Sequence, residues 1–328
     1  MRKYFFRRLF WGLVTIVVIV TVNFLILKLV PGDPVTALIG EYPAPDEYIA
    51  QVRVEFGLDE PLTVQFANYV TNLVQGDFGY SFANRKAVLP LILERAQYTL
   101  QLILPGIAIA FLLGVFLAVV TAVRRSGVLD TTVSSIVMFG YSMPSFWLGQ
   151  VLVLIFAVGL SWLPAAGIRS VRVQPTGVAG ALDLAAHMIL PLICVVSFKI
   201  AIVLRVARAS VVGVMHDDFV TTARAKGVSE RAIMWKHVLP NAMVPVIVVL
   251  GYNLGHALTS SILVETVFAW PGLGTLFVKS IASRDYPVLQ GILVLATVMV
   301  VAGNLLADFV AALVDPRVRK SMGARRGE

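Results

Sequence analysis

Uncharged apolar stretches long enough to cross a bilayer alternate along this 328-residue chain with polar segments rich in Pro, Gly and Asp. Residues 9–27 form the first stretch, and a helix of that length rises roughly 30 Å, the thickness of a hydrocarbon core. Further runs cover residues 100–123, a stretch from about 131 past 160, one starting near Met188, then 243–263 and 288–307. The pattern predicts six transmembrane helices and hence an all-α polytopic membrane protein. Residues 31–97 interrupt it: they are polar, acidic in their first half and punctuated by Pro and Gly, which predicts a small external subdomain of short helices and turns. A second polar island, residues 216–240, lies between the fourth and fifth runs.

Composition excludes a soluble globular domain. Hydrophobic residues make up 58% of the chain and charged ones 14%, against about 25% charged in soluble domains. The net charge of +8 reads as topology rather than as a nucleic-acid footprint. Arg2, Lys3, Arg7 and Arg8 precede the first run, Arg124 and Arg125 follow the second, and Arg317, Arg319, Lys320, Arg325 and Arg326 lie in the tail. Together with residues 205–236 these segments hold 17 Lys or Arg, whereas the longer segments assigned outside, with Lys28, hold 9. Cations are retained on the cytoplasmic side, so both termini are expected there, the tail near anionic lipid. The first run exceeds the core of a signal peptide, and Pro31-Gly32-Asp33-Pro34 stands where a small-residue cleavage site would be, so it reads as an uncleaved anchor. Cys194, the only cysteine, rules out an intramolecular disulfide and reads as a small buried apolar residue.

Three polar features interrupt the apolar runs. Ser142-Met143-Pro144-Ser145 falls inside the third, and the Pro frees a backbone carbonyl that lipid cannot satisfy, which suits either a kinked packing helix or a water-filled path. Lys199 lies about 16 Å along a helix starting at Met188, near mid-bilayer, where an unpaired ammonium is costly. It is expected to face a translocation path or a partner subunit, unless an earlier helix start lets it snorkel as Arg205 and Arg208 can. Asn253 and His256 in the fifth run suit substrate contact, although small and polar residues there also serve close helix packing.

The segment DFVTTARAKGVSERAIMWKHVLP, residues 218–240, predicts a helix, a glycine elbow and a second helix. Asp218 is placed to cap a first helix over residues 219–226, Gly227 to end it in the left-handed conformation, and Ser229 to cap the second. The segment resembles the cytoplasmic signature loop of bacterial ATP-binding-cassette importer permeases, patterned as E-A-A, three residues, Gly, nine residues, Ile, one residue, Leu-Pro. Ala223, Gly227, Leu239 and Pro240 match; Thr221, Thr222 and His237 stand where the pattern has Glu, its first Ala and Ile. The run from Thr222 to Ser229 is similar to the dipeptide and oligopeptide branch of these permeases, which commonly lacks that Glu. Pro31-Gly32-Asp33-Pro34, Gly57-Leu58-Asp59-Glu60-Pro61, Gly76-Asp77-Phe78-Gly79, Trp270-Pro271-Gly272-Leu273-Gly274 and Arg284-Asp285-Tyr286-Pro287 resemble the same branch, although each alone is also what a turn requires.

The resemblance implies an inner-membrane permease subunit of a type I importer that moves di- or oligopeptides, with glutathione or chelated nickel as alternatives. It implies as partners a second, homologous permease subunit, two cytoplasmic ATPases, a periplasmic substrate-binding protein and membrane lipid, with no nucleic acid. The ATPase-coupling loop would comprise Thr221, Thr222, Ala223, Arg224, Ala225, Lys226, Gly227, Ser229, Leu239 and Pro240. Residues 1–30 would hold a cytoplasmic segment and the first span, 31–97 the external subdomain, 98–312 the permease core, and 313–328 a cytoplasmic tail. No catalytic residue, cofactor or metal site is expected. A phosphate-binding loop needs a Gly-Lys pair, which the chain lacks, and its four histidines are too scattered for a zinc site. A secondary transporter would place carboxylates deep in its spans, and a membrane-embedded enzyme would pair a nucleophile with its base; neither pattern occurs in the runs.

Overall fold

The computed structural model describes residues 2–29, 45–55, 59–81, 83–123, 127–170, 175–258 and 260–314. Pro31 to Pro34, Gly57, Leu58, Arg124, Arg125, Arg172, Thr259 and the tail from Asp315 lie outside them. Thirteen α-helices and two π-helical stretches, Val153–Gly159 and Met234–Val238, follow one another among the described residues. The α-helices are α1 (Arg2–Leu29), α2 (Asp46–Glu55), α3 (Leu62–Val74), α4 (Val88–Val123), α5 (Gly127–Ser142), α6 (Ser145–Leu152), α7 (Gly177–Val214), α8 (Asp218–Ala225), α9 (Glu230–Ile233), α10 (Leu239–Gly255), α11 (Ile262–Val267), α12 (Leu273–Ala282) and α13 (Tyr286–Val314). A two-stranded antiparallel hairpin, β1 (Tyr80–Ser81) and β2 (Lys86–Ala87), pairs Tyr80 with Ala87 and Ser81 with Lys86.

Five helices are long and apolar enough to span a bilayer, and a sixth span arises if the bent pair α5–α6 counts as one. The protein is an all-α polytopic membrane protein with one short hairpin. Several boundaries move from the sequence expectation. Helix α4 starts at Val88 and α7 at Gly177, because polar side chains at a helix end outside hydrocarbon do not stop a helix whose backbone bonds close within it. The third run is broken: α5 and α6 meet at about 100° around Met143 and Pro144, far beyond a kink. The fifth span ends at Gly255, and the run's last residues, Ile262 and Leu263, belong to the short α11. The sixth helix runs from Tyr286 to Val314.

Small residues set the packing. A Cβ at Gly106 would lie 2.5 Å from Val195, and one at Gly114 would lie 2.7 Å from Val203, so α4 and α7 cross at close range. Helices α10 and α13 meet the same way: a Cβ at Gly251 would lie 2.1 Å from that of Ala307, and one at Gly303 2.2 Å from the Gly255 Cα. Lipid supplies no hydrophobic drive between helices, so such close backbone approach is what holds them. Helix α1 leans on α13, with Gly12 against Val301 and an ion pair of 2.9 Å between Arg8 and Asp308. Most of its other large apolar side chains are exposed.

The apolar core is layered along the bundle. At one end, the loop end, Ala122, Val211, Val220, Ile233 and Val238 pack together. In the middle lie Ala118, Val203, Leu204, Ala207 and Val246. Toward the hairpin end, Ile103, Leu190, Cys194, Val195 and Trp270 form a further layer.

Candidate functional site

The loop is built on a fixed back with an exposed front. Asp217, not Asp218, sits at the N-cap of α8, and it makes no side-chain capping bond. Gly227 takes φ +76°, the left-handed conformation expected of it, and a Cβ there would meet nothing within 4 Å. Ser229 caps α9, its Oγ accepting from the Ala232 N–H at 3.4 Å. Across the elbow Arg224 donates to Glu230 through Nε at 2.7 Å and Nη2 at 3.2 Å, a bidentate bridge between the two helices. The spacing of Arg224 and Glu230 along the chain does not by itself reveal this pairing.

The second helix is not a separate piece. Helix α9 continues through a wide π turn, Met234–Val238, into α10. Pro240 lacks an N–H for the Lys236 carbonyl and its ring crowds it, so the chain widens there: the Leu239 N–H reaches back five residues to Met234. The second helix of the elbow is thereby continuous with the fifth span. Val220, Ala223 and Val238 are buried against the ends of α4 and α7, whereas Thr221, Thr222, Arg224, Ala225, Lys226, Gly227 and Ser229 are exposed. Ala223 therefore anchors the loop and its neighbours present it. Leu239 is half-buried and Pro240 exposed. Beside the loop, Val119, Val123, Met215, Arg224, Glu230, Arg231, Met234 and Trp235 line a groove of about 650 Å³.

The candidate path residues converge in part. Lys199 Nζ donates to Asn253 Oδ1 at 3.0 Å, and Asn253 Nδ2 donates to the Val249 carbonyl at 2.9 Å. This polar pair joins α7 to α10 between the middle apolar layer and the layer above it. Lys199 does not snorkel, in spite of the early start of α7. The break in the third span lies alongside: Gly140 approaches Ser197, and the rings of Tyr141 and Phe198 are 6.1 Å apart. Ser142 and Pro144, both exposed, stand at that break, with Ser142 Oγ donating to the Met138 carbonyl. His256 caps the end of α10, three residues beyond Asn253, half-buried, its ring 4.2 Å from that of Tyr252.

At the hairpin end the sequence strings that resembled isolated turns meet one another. Ser81 Oγ donates to Asp285 Oδ2 at 2.5 Å, and a Cβ at Gly79 would lie 3.6 Å from Pro287. Glu265 is wholly buried (0% exposed). Its carboxylate accepts from Ser261 Oγ at 2.6 Å, Thr99 Oγ1 at 2.7 Å and the Gly274 and Thr275 N–H groups at 2.7 and 3.3 Å. It thus ties α11 to α4 and to the first turn of α12, where the carboxylate also meets the helix dipole. Gly272 and Gly274 are small because a Cβ would fall 2.4 and 2.9 Å from that carboxylate. Trp270, also fully buried, donates from Nε1 to the Tyr98 carbonyl at 2.8 Å. Burial raises the Glu265 carboxyl above its ordinary range, opposed by those hydrogen bonds.

A bent, small-residue-packed bundle with a polar loop seated at one end defines a polytopic helical membrane protein. The chain belongs to the family described as binding-protein-dependent transport system inner membrane component, matched over residues 110–320, with the N-terminal component of such proteins matched over residues 1–103. It is accordingly a multi-pass protein of the bacterial inner membrane. It is 34% identical to the di/tripeptide transport system permease protein DppB of Pseudomonas aeruginosa over 97% of this chain and 99% of that protein. It is 35% identical to the oligopeptide transport system permease protein AppB of Bacillus subtilis, again over 97% and 99%. Among solved structures, an inward-facing form of the MetNI methionine ABC transporter matches with a TM-score of 0.54 at 19% identity, over 69% of this chain and 96% of that one. That likeness shows the shared fold.

Proposed function

We propose that this chain is the permease subunit of an ABC importer for di- and oligopeptides, with ATP hydrolysis carried by separate subunits. The peptide reading rests on near-full-length similarity to permeases named for di/tripeptides and oligopeptides. The coupling reading rests on one observation above all: the exposed Thr221 to Ser229 surface is clamped by Arg224 and Glu230 and runs without interruption into a span. In this reading residues 216–240 and both termini are cytoplasmic, residues 31–97 form the external subdomain, and 98–312 form the permease core ahead of a tail at 313–328. A second permease subunit, two ATPases and a substrate-binding protein complete the assembly. Lys199, Asn253, Ser142, Pro144 and His256 border the translocation path.

The test is reconstitution with the partner subunits in proteoliposomes. ATPase subunits are expected to co-purify with the chain, and a labelled tripeptide to accumulate only with ATP and the binding protein. Accumulation of glutathione or a nickel chelate in place of peptides would replace the substrate, and ATP-independent uptake would overturn the importer reading.

A further inference from the structure

We propose that the Lys199 ammonium receives the C-terminal carboxylate of the transported peptide, an assignment that rests on the peptide reading above. The side chain is half-buried between α7 and α10, between two apolar layers of the core. Its described acceptor is the neutral Asn253 Oδ1, held facing it because Asn253 Nδ2 is committed to the Val249 carbonyl. An ammonium has three donors, and one such bond to an amide leaves its charge uncompensated in a low-dielectric layer.

The carboxylates bordering the spans are engaged elsewhere. Asp130 pairs with Arg208, Asp308 with Arg8, Asp285 accepts from Ser81, and Glu265 is enclosed by its own donors. The counter-charge is therefore external to the described chain. The part of Lys199 that remains exposed cannot open onto lipid at tolerable cost. It lies beside the break around Met143 and Pro144, where the freed backbone carbonyls likewise demand protein or water. A carboxylate is the group that every unmodified peptide carries whatever its side chains, so one cation in the path suits a sequence-tolerant importer.

The experiment compares uptake of trialanine and of its C-terminal amide by the full complex in proteoliposomes, for wild type, Lys199→Met and Lys199→Arg. The ratio of the two rates is read for each variant, so any preference of the shared binding protein divides out. Lys199→Met is expected to lower the acid-to-amide ratio at least about tenfold, the order expected for loss of a charged hydrogen bond, and Lys199→Arg to keep it near wild type. An unchanged ratio in Lys199→Met, whether both rates fall together or neither falls, overturns the assignment and leaves a packing role or none. Loss of the second permease subunit on purification of Lys199→Met overturns it in favour of a carboxylate on that subunit. Wild-type complex that imports neither peptide overturns the peptide reading, and this assignment with it.

Discussion

At the scale of single residues, Gly227 and Arg224 divide the work of the elbow differently. Gly227 sits at φ +76° with open space where a Cβ would go, so substitution there costs backbone strain alone, about 1–2 kcal/mol. Gly227→Ala is expected to couple well and Gly227→Val poorly, since a β-branched residue is the most disfavoured in this region and would redirect a helix continuous with α10. The check is co-purification of the ATPases beside binding-protein-stimulated uptake. Normal uptake and complex recovery by the Val variant would show the elbow to be a mere connector. Arg224 is exposed and shares its ion pair with an exposed Glu230; such pairs are screened by solvent and contribute little, so Arg224→Ala alone is expected to weaken uptake less than Gly227→Val. The positive φ was readable from the Gly after a basic helix end. The bidentate bridge was not, because residue spacing alone does not say how sharply the chain turns.

Elements are held together at the hairpin end by a buried carboxylate rather than by apolar burial alone. Removing it in Glu265→Ala strands the Gly274 and Thr275 N–H groups and two hydroxyls, at about 1–3 kcal/mol for each buried group left unpaired. Glu265→Gln keeps the acceptor for the helix α12 N–H groups and is expected to fold. Because burial raises the carboxyl above its ordinary value of 4.5, there is a pH interval just above that value in which the folded form holds a proton that the unfolded chain has released. Stability is therefore present below that value and declines as pH rises through the interval above it. Thermal unfolding in detergent across pH should show this decline in wild type and lose it in Glu265→Gln. An identical pH profile in both would remove Glu265 as the titrating group. Nothing in the apolar pattern announced this knot: Glu265 reads as the start of an external polar segment, and its partner Thr99 is 166 residues away.

For the whole molecule, the charge asymmetry makes a prediction of its own. Tags at the N-terminus, near Ser126 and at the C-terminus are expected to be cytoplasmic, and one beside the exposed Asn68 of α3 external. External protease added to intact spheroplasts should cut only the Asn68 tag; protection of that tag until lysis would invert the topology. The apolar spans, the helix–elbow–helix loop and membership of the permease family were all legible in the chain itself. Each rests on local signals: apolar run length measures hydrocarbon thickness, Gly and Ser mark helix ends, and short motifs carry the family resemblance. What only the tertiary structure decided was where polar groups within and beside the spans find partners. The third run turns by 100° at Met143 and Pro144 beside α7, and Lys199 finds its amide on a helix 54 residues on. A buried polar group must be satisfied, but which distant side chain satisfies it is set by how the helices close on one another, and that is a property of three-dimensional packing that sequence periodicity does not encode.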